Sequence, residues 1–149
     1  MQLYEVHGRP RPKERPRGMI KSVKGKPRLI MYTPKNTVDA QKHIAHEVLF
    51  QLDAKYKLVA TECVLFSMFY MPDKRVADTN NIERLLEDAL TGVIYEDDKY
   101  VKRIFTGMAQ SPVTRTIFAL VSLKEFAKDP VAHYEQWLQL VAENEAKHD

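Results

Sequence analysis

Residues 61–70 have the sequence TECVLFSMFY, which is apolar, aromatic or β-branched over most of its length. This composition, with no charged residue after Glu62, predicts a buried β-strand. We expect this strand to lie in the centre of a sheet. Helical spacing of apolar residues before and after it, at 36–56 and 80–91, adds two main helices.

Weaker patterns predict the remaining elements. Short strands are expected at 3–6 and 28–32. Two more, at 101–105 and 114–123, are expected to form a hairpin through Gly107 and Pro112. Gly92 is expected to stop the second helix.

A last helix is predicted at 130–147, because apolar side chains recur there at helical spacing, at Val131, Tyr134, Trp137, Leu138 and Val141. We expect it to support dimerisation or to cover an apolar face. The sequence thus predicts one α/β (α+β) domain, a small mixed sheet packed by two main helices at 1–123, with a helical extension at 124–149.

Composition limits the class of protein. A chain of 149 residues with 44% hydrophobic content is long enough for one domain with a core. Its longest apolar run, Cys63–Met71, is about half of the ~20 residues that cross a membrane. Cys63 is the single cysteine, so a disulfide or a thiolate metal cage within one chain is excluded. We expect a soluble cytoplasmic protein.

Positive charge concentrates near the N-terminus. Nine cations and one acid lie between Arg9 and Arg28, a net charge of +8. Because the whole chain carries +3, the rest carries −5. Four prolines and two glycines predict an extended or looping segment, the basic loop 9–28, outside helix and central strand. Two interpretations stay open: a solvated tail, or an arm that follows the phosphates of a nucleic acid.

Side chains with oxygen atoms cluster around the second helix. Asp78, Asn80 and Asn81 lie at its start, and Asp97 and Asp98 follow its end. The helix advances ~17 Å, and six extended steps after Gly92 return ~20 Å. If the chain reverses at Gly92, Asp98 lies beside Asp78. Such oxygen ligands suit Mg²⁺.

Each of these residues also has an ordinary structural interpretation. Asn80 followed by Glu83 fits a helix-capping pattern, Asp78 fits a turn or cap, and the two later aspartates fit a polar turn. A second candidate metal site, zinc at His43 and His46, lacks a third ligand at metal-binding spacing. We therefore expect these histidines to lie on a helix surface.

Several segments together resemble a known family. The sequences DTNNIER at 78–84, DALTG at 88–92 and EDD at 96–98 resemble the signature of the RusA family of Holliday junction resolvases. That signature is Asp, any residue, Asp, Asn, an apolar residue, any residue, Lys, then Asp-Ala-Leu and a closing Asp pair. Residues 8–17 resemble the basic segment of phage and prophage members, and 32–34 (YTP) the motif after it. The resemblance covers 3–123.

The resemblance implies a homodimer that binds four-way DNA junctions and hydrolyses two phosphodiester bonds with Mg²⁺ or Mn²⁺, in a bacterium or a phage-infected cell. It places Asp78, Asn80, Arg84 and Asp98 in catalysis, and the metal on Asp78, Asn80, Asp98 and Asp97. The side chains expected to contact the DNA backbone are Arg9, Arg11, Lys13, Arg15, Arg17, Lys74, Arg75, Lys99 and Lys102.

Two residues depart from the family pattern. Asn80 stands where a carboxylate is usual, so it offers a carbonyl oxygen without charge; either Asp97 or Asp88 compensates, or the residue was substituted to inactivate the enzyme. Arg84 stands where a lysine is usual and stays protonated, so it can bind a phosphate but cannot act as a base. The alternative function is therefore a weak or inactive binder of branched DNA.

Overall fold

The computed structural model describes residues 1–73 and 78–148. Its main sheet has four strands in the order β1-β6-β4-β5. The strands are β1 (Tyr4–His7), β4 (Cys63–Met71), β5 (Val101–Gln110) and β6 (Arg115–Ser122). β4 runs antiparallel to β6 and parallel to β5, and β1 is antiparallel to β6. The predicted mixed sheet and α+β class are confirmed.

The central position of β4 follows from its apolar sequence. Side chains alternate between the two faces of a strand, and β4 is buried along its length. Leu65 and Phe69 face one apolar cluster, while Phe66 and Tyr70 face another. Helices α1 (Lys35–Gln51) and α2 (Thr79–Leu90) contribute to the first cluster. The prediction of a central strand is confirmed.

The predicted hairpin between the last two strands is wrong. β5 and β6 each pair with β4, on opposite sides of it, and not with each other. Gly107 lies within β5 opposite Met68, where an added Cβ would come 3.0 Å from the Met68 sulfur. Because α2 connects β4 to β5, the two strands run parallel, as expected of a helical crossover.

The helices agree with the sequence except at some ends. α1 begins one residue before the predicted start at 36 and ends at Gln51 instead of at 56. It ends there because Leu52 is extended and Asp53 starts a turn by accepting the Lys55 N–H at 2.7 Å. α2 ends before Gly92, whose φ of +81° confirms the predicted stop.

Two helices follow the sheet. α3 (Leu123–Lys128), which was not predicted, begins at Ser122, whose hydroxyl accepts the Glu125 N–H. α4 (Pro130–His148) confirms the last helix. Trp137 and Val141 pack in the second apolar cluster, so α4 covers an apolar face of the sheet.

The basic loop is more ordered than predicted. β2 (Arg17–Val23) and β3 (Lys26–Tyr32) form an antiparallel hairpin outside the main sheet, so the loop contributes no central strand, as expected; β3 contains the strand predicted at 28–32, whereas β2 was not predicted. Lys24 and Gly25 both have positive φ, which is typical of the two-residue type I′ turn. Pro27 is tolerated because each strand of a two-stranded ribbon has one unpaired edge.

Within the described residues, no helix is both long and apolar enough to cross a membrane.

Candidate active site

Asp78 is the N-cap of α2. Its Oδ1 accepts the backbone N–H groups of Asn80 at 3.1 Å and Asn81 at 3.3 Å, and its Oδ2 accepts the Asn81 side-chain amide at 2.8 Å. The capping interpretation therefore holds for Asp78, whereas Asn80 lies inside the first turn and does not cap the helix. A carboxylate accepts about four hydrogen bonds, so capping does not use up the Asp78 oxygens.

The chain returns from α2 by a turn and not by an extended run. Gly92 donates its N–H to the carbonyl of Tyr95 at 2.8 Å, and buried Tyr95 donates its hydroxyl to the carbonyl of Glu87 at 2.7 Å. The prediction that six extended residues lead from Gly92 to Asp98 is therefore wrong. The turn leads into a short 3₁₀ helix, Asp98–Tyr100, whose N-cap is Asp97.

Asp98 lies near the second half of α2. Its pKa is raised by partial burial and by the neighbouring carboxylates of Asp97 and Asp88, while the Lys13 ammonium acts in the opposite direction. The pKa of Asp97 is lowered, first by the Lys99 N–H that it accepts. Asp98 thus belongs to an acidic group along one side of α2.

The sequence did not single out two further acids of this group. The Glu83 side chain is 4% exposed and accepts the Ser67 hydroxyl at 2.6 Å, with Thr106 also close to it. Burial raises its pKa. Burial, and then the charges of Glu83, Asp98 and Asp88, raise the pKa of Glu87 to about 7. The sequence signal that could have identified Glu83 and Glu87 as part of this acidic group is their position beside the apolar stripe of α2.

The predicted metal ligands are not gathered into one cage. In the parts of the chain that the structure describes, no group of three or more His, Cys, Asp or Glu side chains is arranged to hold a metal ion. The ligand set Asp78, Asn80, Asp97 and Asp98 stays a prediction. Arg84 is exposed on α2, in the same helix as Asp78 and Asn80.

The first part of the basic loop, residues 9–17, contacts α2 at Lys13. We call this segment the basic arm. The Lys13 N–H donates to the carbonyl of Asn81 at 3.0 Å, and its ammonium lies 2.6 Å from Asp88 Oδ2. The next residue, Glu14, donates its N–H to the Thr37 hydroxyl on α1. The arm therefore runs beside the acidic side of α2, which could not be predicted from the positions of these residues in the sequence.

The other predicted DNA contacts belong to this arm, to residues 74–75 and to the segment after Asp98. Arg9 is ion-paired with Asp73 at 3.8 Å and Arg17 with Glu14 at 3.5 Å. The exposed cations are Arg9, Arg11, Arg15, Arg17, Lys99 and Lys102. Lys74 and Arg75 lie outside the described residues.

His43 and His46 lie on the surface of α1. His43 Nε2 is 2.7 Å from the carbonyl oxygen of His7, and His46 stacks on Phe50 with ring centroids 5.2 Å apart. The expectation of a helix surface is confirmed.

The exposed cations of the basic arm suit a polyanionic ligand. The family model described as endodeoxyribonuclease RusA matches residues 7–117, which is most of the chain. The chain therefore belongs to the RusA family, as the sequence motifs indicated. The match ends within β6, before α3 and α4. The search of curated proteins found no match.

Proposed function

We propose that this protein is a metal-dependent endonuclease that resolves four-way DNA junctions. The observation that carries the proposal is the contact of Lys13 with α2, which brings the basic arm to the acidic residues inside the region of the family match. DNA held by the arm would pass next to carboxylates. That juxtaposition is what a phosphodiester hydrolase needs.

The donor chemistry of the site fits Mg²⁺ or Mn²⁺. Asp78, Asn80, Asp97 and Asp98 would hold the ion through carboxylate and amide oxygens, which are the ligands of hard cations. The like charges that raise the pKa of Asp98 would be relieved by a cation. When bound, the ion supplies Lewis acidity to the scissile phosphate and lowers the pKa of the attacking water.

The protein's own cations position the substrate. The Arg84 guanidinium can donate two hydrogen bonds to a phosphate and would stabilise the charge of the reacting group. The arm residues Arg9, Arg11, Lys13, Arg15 and Arg17, with Lys99 and Lys102 beside Asp98, bind the backbone on either side. Asn80 contributes a neutral oxygen, so both metal affinity and turnover are lower than with a carboxylate.

Two further features belong to the proposal. A homodimer would present two sites related by a two-fold axis, which matches the approximate symmetry of a four-way junction and allows paired cleavage. The expected location is the cytoplasm of a bacterium or of a phage-infected cell, where such DNA intermediates arise.

The second candidate function is a junction-binding protein with little or no cleavage. Asn80 is the observation that favours it, since the helix start carries one carboxylate, Asp78, where the family pattern has two. In that case the basic arm would bind the same DNA. Both candidates therefore predict a preference for branched over linear DNA.

A cleavage assay separates the two candidates. The purified protein is incubated with a labelled four-way junction or a matched linear duplex, with Mg²⁺ or Mn²⁺. Paired nicks in the junction that are lost in Asp98→Asn support the enzyme. Tight binding without nicks, with cleavage gained in Asn80→Asp, indicates the binding protein. Equal affinity for the junction and the duplex would contradict both.

A further inference from the structure

The hairpin β2–β3 extends from the domain as an isolated ribbon. Among the described residues, neither strand packs extensively against another helix or strand, and all of its residues except Ile30 are exposed. An isolated two-stranded hairpin is marginally stable in water. A ribbon of this kind is therefore stabilised when something covers its apolar side chains.

The strand register sorts the hairpin residues into two unlike faces. Successive side chains point to opposite sides, so Arg17, Lys21 and Arg28 share one face with Met19 and Ile30. The opposite face has no charged residue. It consists of Gly18, Ile20, Ser22, Pro27, Leu29 and Met31.

The uncharged face is apolar and open to solvent. Ile20 is 76% exposed and lies directly opposite Leu29, which is 71% exposed. A Cβ added at Gly18 would come 3.0 Å from the Leu29 side chain and 3.3 Å from the Met31 sulfur. The glycine thus leaves room for both side chains to lie over it, and they form one continuous apolar strip.

We propose that this strip stacks on base pairs exposed at the branch point of a DNA junction, while the cationic face of the hairpin contacts the phosphates of a neighbouring duplex of that junction. The inference rests on the proposed function and names the part of the substrate that this hairpin recognises. In a linear duplex the faces of the base pairs are stacked on each other. A branch point offers such faces, and apolar side chains are known to insert between base steps.

Charge and size favour DNA over a protein partner. The hairpin and its turn carry five cations and no acid at 17–32, which complements a polyanion. Its apolar strip consists of three large side chains, far less than the ~800 Å² that each partner contributes to a stable protein interface. A second copy of the chain is therefore the less suitable occupant, and the experiment below includes it as an outcome.

The test compares two neighbouring cross-strand pairs. Ile20→Ser/Leu29→Ser removes two of the three large side chains of the apolar strip, whereas Met19→Ser/Ile30→Ser removes the next cross-strand pair from the cationic face. Neither changes the charge. Affinity for a four-way junction and for a matched duplex is measured in chelator, so that cleavage does not intervene. We expect the first variant to lose about tenfold of junction affinity with unchanged duplex affinity, and the control to keep its junction preference.

A second measurement observes the bases directly. With 2-aminopurine at the branch point, the wild-type protein should change the fluorescence of the base, and Ile20→Ser/Leu29→Ser should not. Ile20→Trp, which enlarges the stacking surface, should raise junction affinity. This gain keeps the proposal testable even if the serine substitutions weaken the ribbon itself.

Three results would overturn the inference. The first is that Ile20→Ser/Leu29→Ser keeps both its junction affinity and its duplex affinity; the second is an equal loss of both affinities. The third is dissociation of a dimer by this variant in analytical ultracentrifugation with DNA affinity retained, which would assign the strip to a protein interface. Failure of the proposed function is distinct, because the wild-type protein itself would then lack any preference for the junction.

Discussion

The hairpin β2–β3 and the helix α4 are attached to the same sheet domain in opposite ways. The hairpin lies inside the family match, yet it is exposed and packs mainly on itself. α4 lies outside the match, yet it buries Trp137 and Val141 against the sheet. The comparison teaches that membership in the family match does not indicate where the stability resides. Four predictions test this difference in stability between the hairpin and α4.

The largest effect is expected at Trp137. Its side chain is 4% exposed and stacks at an angle on Phe66 of the central strand, with ring centroids 5.6 Å apart. Trp137→Ala should lower the free energy of unfolding by about 3–5 kcal/mol, because it leaves a cavity in the second apolar cluster. Chemical denaturation measures this. The control is Leu138→Ala on the exposed side of α4, and equal losses in both variants would contradict the assigned packing.

A somewhat smaller effect is expected at the polar end of α4. The buried Arg115 guanidinium lies 3.8 Å above the Tyr70 ring and donates from Nε to Asn144 Oδ1 at 2.8 Å. Asn144→Ala removes this acceptor and should cost about 1–3 kcal/mol. The measurement is again denaturation. Gln139→Ala, on the exposed surface of the same helix, should change stability by less than about 0.5 kcal/mol.

The third prediction concerns pH and the acidic side of α2. The pKa of Glu87 is raised to about 7 in the folded protein, so the folded state binds a proton that the unfolded state has already released above its ordinary pKa. Stability should therefore fall as pH rises from about 5 to 7, by roughly 1–2 kcal/mol, which is less than the full shift because solvent screens this half-exposed group. Glu87→Gln should reduce this slope in unfolding experiments at pH 5 and pH 8. An unchanged slope would refute the assignment.

The smallest effect on stability is expected from the hairpin. Replacing residues 19–30 by a short glycine linker should change the free energy of unfolding by less than about 0.5 kcal/mol, because the hairpin has little packing on the domain. The same deletion should weaken junction binding and reduce its dependence on salt. A large loss of stability would show that the ribbon supports the domain.

The sequence predicted a helix or strand correctly where the residues of that segment alone determine its conformation and burial. The run at 61–70 predicted β4, the apolar spacing predicted α2 and α4, and Gly92 marked the end of α2. The hairpin was missed because prolines outweighed the pair Lys24-Gly25 as a signal, although three of the four prolines precede β2.

Other features depend on contacts between distant segments. β5 and β6 pair with the two edges of β4, whose apolar side chains are buried on both faces of the sheet, and the segment that joins β5 to β6 does not determine this pairing. The burial of Arg115 and the contact of Lys13 with α2 leave no local signature, and Glu83 is marked only by its position beside the apolar stripe of α2. For the site, the sequence identified the acids before and after α2. It did not predict the turn at 92–95, which leads to Asp98 in place of the extended residues that were expected.

Glu5 links the start of the chain to α4, and this long-range contact bears on the order in which the domain folds. Its carboxylate lies 3.2 Å from the Asn144 amide and 2.7 Å from His148 Nε2, so it joins segments separated by nearly the whole described chain. Contacts of such long sequence separation form late in folding, because a large loop must close first. Until then the face of the sheet that α4 covers is open. We expect aggregation to be most favourable before this closure, because the apolar face is then uncovered.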